Sequence, residues 1–134
     1  MKPTMISRRY HFESGHFLPF VPEGHRCKRQ HGHNYEIEVY VTSDELDEQG
    51  FILDFGLLDL VVQPIIATID HHNLNDIEGL SNPTAELIGA WLLDKINERL
   101  NVYGNRVRVP MIRVYETKDC CAVVSIPEFA TTAV

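Results

Sequence analysis

The sequence predicts an α+β fold in the order strand, strand, helix, helix, strand, strand, with both helices covering one face of a small sheet. Three observations carry this prediction. Between His31 and Val41, the residues Tyr35, Ile37, Val39 and Val41 alternate with Glu36, Glu38 and Tyr40, the period of a half-buried strand. Two later segments, beginning near Asp54 and Asn82, instead place apolar residues at helical spacing. No internal repeat, low-complexity tract or Pro/Ser-rich linker divides the 134 residues, so residues 1–134 read as one domain with room for a hydrophobic core.

The first strand is expected over Thr4 to Glu13, ending near Ser14-Gly15-His16. Phe17 to Gln30 holds two prolines, a glycine and several charges and reads as a loop carrying Cys27. The second strand runs from His31 to Val41, and Ser43 to Gly50 is an acidic turn region. Asp54 is the expected N-cap of a helix bearing Leu58, Val61, Val62, Ile65, Ile66 and Ile69. Pro64 lacks a backbone donor and predicts a kink or a fresh start within it. Asp70-His71-His72-Asn73 ends that helix. Asn82-Pro83-Thr84-Ala85-Glu86 predicts the next start, with Asn82 as cap and proline at the first helical position. Its stripe is Ala85, Ile88, Leu92, Ile96 and Leu100, widened by Leu87 and Trp91. Arg106 to Thr117 and Ala122 to Pro127 read as the last two strands, and Pro110 predicts an edge or a bulge in the first of them. So small a sheet leaves edges that a second subunit would pair.

Composition narrows the function. A formal charge of −7 argues against nucleic acid as a partner, although Lys28 and Arg29 offer local cations for a phosphorylated small molecule. No apolar run reaches membrane-spanning length, and no signal-peptide core follows Met1-Lys2-Pro3-Thr4. Three cysteines, two of them adjacent at Cys120 and Cys121, do not form a disulfide framework. The expected location is the cytoplasm.

The chemistry concentrates in Cys27-Lys28-Arg29-Gln30-His31-Gly32-His33, with His16 upstream. His31 and His33 are two apart, so a strand projects both from one face, the face of Tyr35. An isolated pair of this kind would read as polar surface. With His16 the set instead supplies three ligands and no fourth, the pattern of a catalytic zinc with an open position. Asp70 beside His71 can hold one imidazole tautomer and raise its basicity for proton transfer, or the two can simply cap a helix end. Glu116, closing Val114-Tyr115-Glu116-Thr117, is either a solvated strand end or a bidentate acceptor for paired N–H donors on a heterocycle. Cys120, Cys121, His11 and His25 read as structural or surface residues.

Taken together, Phe12-Glu13-Ser14-Gly15-His16, the Cys27–His33 segment, Ile69-Asp70-His71-His72-Asn73-Leu74, Asn82-Pro83-Thr84 and Val114-Tyr115-Glu116-Thr117 resemble the 6-pyruvoyltetrahydropterin synthase family, in order, from about residue 6 to about residue 124. Within it the chain most resembles the bacterial 6-carboxytetrahydropterin synthases of queuosine biosynthesis. The resemblance implies a tunnelling fold: a four-stranded antiparallel sheet with two helices inserted between strands two and three, assembled as a dimer of trimers with active sites between subunits. It implies Zn2+ on His16, His31 and His33, Cys27 as the catalytic thiol, and Asp70 and His71 as its proton-relay partners. By the same resemblance Glu116 holds the pterin ring and takes part in catalysis, with Thr84 near the substrate. The implied substrate is 7,8-dihydroneopterin triphosphate, which loses triphosphate and, in the carboxy branch, acetaldehyde.

The spacing Cys-x3-His-Gly-His and the segment Leu74–Leu80 resemble the carboxy enzymes, whereas His33-Asn34-Tyr35 and Val114–Thr117 resemble the pyruvoyl enzymes, the alternative branch. Two readings from other classes stand beside these. A three-histidine zinc would also serve a hydrolase or hydratase, in which Cys27 has no part. A non-catalytic zinc- or pterin-binding module would keep Glu116 and tolerate loss of Cys27 and His71.

Overall fold

A computed structural model describes residues 1–104 and 106–129. Strands β1 (Met5–His16) and β2 (His31–Ser43) form an antiparallel pair whose register runs from Met5 opposite Thr42 to His16 opposite His31. Helices α1 (Phe55–Ile69) and α2 (Ala85–Leu100) follow, and β3 (Val107–Thr117) and β4 (Cys120–Ser125) complete a four-stranded antiparallel sheet in the order β1-β2-β3-β4. The predicted order of elements is therefore the observed one. β1 ends at His16, within the Ser14-Gly15-His16 end that the sequence predicts, which carries that imidazole to the end of the hairpin. No helix among the described residues is long and apolar enough to cross a membrane.

The alternation read in β2 holds on both faces. Tyr35, Ile37, Val39 and Val41 are buried with Tyr10 and Phe12 of β1 and Val109, Ile112 and Val114 of β3. The rings of Phe12 and Tyr35, opposite each other in the register, stack with centroids 4.8 Å apart. On the other face Arg9 pairs with Glu36 at 3.2 Å, Tyr40 donates to Glu38 at 2.6 Å, and Arg113 donates to the Tyr40 oxygen at 3.1 Å. Burial of Ile88, Leu92, Ile96 and Leu100, each worth roughly 1.5–3 kcal/mol, holds α2 on the sheet. Gly89 permits the close approach, since a Cβ there would lie 2.6 Å from Val124 Cγ2.

Three boundaries refine the expectation. Of the two alternatives for Pro64, the fresh start does not occur: α1 runs through it to Ile69. The carbonyl that Pro64 cannot serve belongs to Leu60, and Arg99 of α2 donates to Leu60 O at 3.5 Å and to Val61 O at 3.1 Å. α2 is capped not by Asn82 but by Thr84, whose hydroxyl accepts from the Leu87 N–H at 3.2 Å, so Pro83 lies outside the helix. β4 begins at Cys120 and ends at Ser125, with Pro127 in a short 3-10 turn. Of the two alternatives for Pro110 the bulge is correct. β3 is an interior strand, and its register against β2 shifts where Val109 and Pro110 stand opposite Val41. The Asn97 side chain satisfies both backbone groups of Val109 there, each bond 2.9 Å long.

Candidate metal centre and adjoining clefts

The end of the β1–β2 pair that the 17–30 loop connects gathers the three histidines. His16 and His31 are register partners, and His33 stands opposite Ser14 on the same face. Their ligand-capable nitrogens lie within 4.8 Å of one another. The ring centroids are 4.6, 5.0 and 5.1 Å apart.

Backbone carbonyls orient two of the rings. Pro83 O lies 2.8 Å from His16 Nδ1, and Arg29 O lies 2.7 Å from His31 Nδ1. A carbonyl only accepts, so each Nδ1 carries the proton and each Nε2 keeps its lone pair. Pro83 thus serves the site because it lies before the helix, where its carbonyl faces His16. His33 Nε2 is buried without a hydrogen-bond partner, a costly state for a polar atom unless a ligand is meant for it. Burial lowers the pKa of His16 and of His33, against the opposing pull of the Pro83 carbonyl on His16 and of the Glu116 carboxylate on both. Two imidazoles with committed Nδ1 atoms and free Nε2 atoms, joined by a third whose buried Nε2 has no partner, fit a zinc ion.

Glu116, near the end of β3, faces this cluster, its carboxylate oxygens 3.6 Å from His33 Nε2 and 3.9 Å from His16 Nε2. It also lines a cleft of about 530 Å³ with Thr84 and Glu86 of the α2 N-terminus and with Cys120 and Cys121. The structure therefore brings Glu116 and Thr84 together, next to the histidines. The presence of Cys120 and Cys121 in that cleft was not legible in their sequence context. Tyr35 was also missed as a site residue; its hydroxyl lies 3.3 and 3.4 Å from the two ring nitrogens of His16. Burial, then the Glu116 charge, raises the pKa of that phenol.

Asp70 and His71 form a second constellation. His71 Nδ1 is 2.8 Å from Asp70 Oδ1, and its Nε2 is 3.6 Å from Glu13 Oε2. The Glu13 N–H donates to Asp70 Oδ1 at 3.0 Å, and this bond, more than His71, holds the Asp70 carboxyl below its ordinary pKa. His71 adopts φ 57°, a left-handed conformation uncommon for a residue with a side chain. It is held there because its N–H donates to Glu13 O while His72 O accepts from Gly15 N–H. The same histidine lines a cleft of about 500 Å³ with Glu13, His33, Asn34 and His72.

Cys27 sits on a short 3-10 turn, Arg26–Lys28, capped by the His25 ring, and its carbonyl accepts from Leu18 N–H at 2.8 Å. Its side chain lines neither cleft. Within one chain, then, His71 and the Glu116–Thr84 pair line different clefts, the first shared with His33, and Cys27 lines neither.

The sequence matches the family described as 6-pyruvoyl tetrahydropterin synthase over residues 5–127. It is 40% identical over 99 residues to the 6-carboxy-5,6,7,8-tetrahydropterin synthase of Synechocystis sp., covering 70% of this chain and 75% of that protein. To the protein of the same name in Bacillus subtilis it is 31% identical over 118 residues, covering 84% and 78%. The structure of Caenorhabditis elegans 6-pyruvoyl tetrahydropterin synthase shares the fold, with a TM-score of 0.81 over 94% of this chain and 97% of that one, at 21% identity. The ββααββ sheet and the sequence match along nearly its whole length agree: this chain belongs to the 6-pyruvoyl tetrahydropterin synthase family.

Proposed function

We propose that the protein is a zinc-dependent lyase converting 7,8-dihydroneopterin triphosphate and water to 6-carboxy-5,6,7,8-tetrahydropterin, with release of triphosphate and acetaldehyde, as in queuosine biosynthesis. The observation that carries the proposal is the three-histidine cluster, with its partnerless buried Nε2 and Glu116 alongside. The carboxy product is supported by the relatives that bear that name.

His16, His31 and His33 would hold the zinc, and when bound it supplies Lewis-acid polarisation of the substrate's side-chain oxygens. Glu116 accepts two parallel hydrogen bonds from the ring's amino group and adjacent N–H, which fixes the ring in the cleft beside the histidines. Thr84 bounds the same cleft and contributes van der Waals contact and shape, its hydroxyl oxygen already serving the helix cap. Cys27, carried on the turn Arg26–Lys28, removes or returns the carbon-bound proton. His71, with its tautomer fixed by Asp70, shuttles the hydroxyl proton.

That these groups line different clefts and Cys27 lines neither supports a homo-oligomer in which neighbouring subunits complete each site, and the family resemblance implies a dimer of trimers. The free cysteines suit a reducing compartment, the cytoplasm. The test is incubation of the zinc-loaded protein with 7,8-dihydroneopterin triphosphate and identification of the pterin by mass spectrometry. A 6-carboxy product with acetaldehyde supports the proposal. A product that keeps the three-carbon side chain after losing triphosphate would assign the pyruvoyl reaction, which the His33-Asn34-Tyr35 sequence favours. Unchanged substrate would contradict both.

A further inference from the structure

Tyr35 is the one buried ionisable side chain at the histidine cluster that the proposed chemistry leaves unused. It is 1% exposed, and its ring is fixed by stacking on Phe12 at 4.8 Å with planes 9° apart. Its oxygen is almost equidistant from the two nitrogens of His16, at 3.3 and 3.4 Å, and the two rings are nearly perpendicular at 86°. An oxygen so placed lies off the in-plane direction of either nitrogen, so neither distance describes a well-formed hydrogen bond. Nδ1 donates to Pro83 O at 2.8 Å, and the lone pair of Nε2 is the one left for a metal. The phenolic O–H is thus buried and rigidly held, and among the described residues its only polar contacts are these long, off-axis ones to His16. A buried hydroxyl without an acceptor is expensive unless a ligand supplies one.

We propose that Tyr35 donates its O–H to an oxygen atom of the ligand that sits beside His16, His31 and His33, stabilising negative charge on that oxygen. The class of ligand is a small molecule with a hydroxyl, enolate or hydroxamate oxygen. That this molecule is the pterin side chain rests on the function proposed above. In that reaction the side-chain oxygens gain charge as the carbon-bound proton leaves, and a donor pre-placed at that position favours the transition state over the ground state.

The test uses the conservative variant Tyr35→Phe, which keeps the stacked ring and removes only the oxygen. Cobalt(II) in place of zinc gives a visible spectrum, and acetohydroxamate serves as an oxygen-donor probe. The expected result is unchanged cobalt affinity in chelator competition, within about twofold, with acetohydroxamate bound about tenfold more weakly. On the pterin substrate kcat should fall on the order of 100-fold with KM nearly constant, the scale for removing one oxyanion donor. Equal acetohydroxamate affinity in variant and parent would overturn the proposal. So would a tenfold loss of cobalt affinity, which would make Tyr35 a prop for the His16 ring instead. If the parent does not turn over the pterin, the functional reading fails on its own and the acetohydroxamate arm still decides the role of Tyr35.

Discussion

Replacing Glu116 by Gln isolates the ring-binding step from the metal step. The Glu116 side chain is 29% exposed and faces His33 and His16 at 3.6 and 3.9 Å, so it is held between the cleft and the cluster. Two parallel donors on the pterin edge meet two carboxylate oxygens in the parent. In Glu116→Gln one oxygen becomes an amide nitrogen, so one donor faces another donor. A hydrogen bond to a charged group contributes about 1.5–3 kcal/mol. At about 1.4 kcal/mol per decade, its loss weakens binding by roughly 10- to 150-fold. The three imidazole ligands are untouched, so zinc stoichiometry should hold. Calorimetry with a phosphate-free dihydropterin measures the affinity and elemental analysis measures the metal. An unchanged dissociation constant would refute the assignment of Glu116 to the ring, and loss of zinc would make it part of the metal centre.

Two further substitutions test other parts of the structure. Cys27→Ala should fold and retain zinc, because the turn that carries Cys27 is capped through its backbone by His25, while turnover falls by roughly 10²–10⁴ as for loss of a general base; full turnover in this variant would remove Cys27 from the mechanism. Gly89→Val should lower stability by about 3 kcal/mol, the upper end for overpacking, since its Cβ would meet Val124 at 2.6 Å and Val114 at 3.3 Å; an unshifted urea midpoint would show that α2 is not seated as described.

Local pattern made most of the fold legible. Period-two alternation in β2 and the apolar stripes of α1 and α2 depend on neighbours in the chain, and the same-face placement of His31 and His33 follows from strand geometry alone. What the sequence hid depends on partners far along the chain. Pro64 does not end α1 because Arg99, 35 residues later, serves the carbonyls it exposes. The Asn82-Pro83 signal misplaces the α2 start because Pro83 gives its carbonyl to His16, a contact across 67 residues. Tyr35 reads as one more core residue of an alternating strand; only the closing of the hairpin brings its hydroxyl over the His16 ring. The Asp70–His71 pair was readable as a pair, whereas the left-handed turn that holds it depends on Glu13 and Gly15 of β1.

The chemistry proposed for this protein takes place at His16, His31 and His33. Removing metal with a chelator, restoring zinc in known amounts and following triphosphate release from 7,8-dihydroneopterin triphosphate tests it directly. The stripped protein should not turn over, recovery should rise linearly to one zinc per chain, and His31→Ala, which loses one of the three ligands, should not recover. Full turnover in the stripped protein, or a His31→Ala variant that binds one zinc and works like the parent, would contradict it.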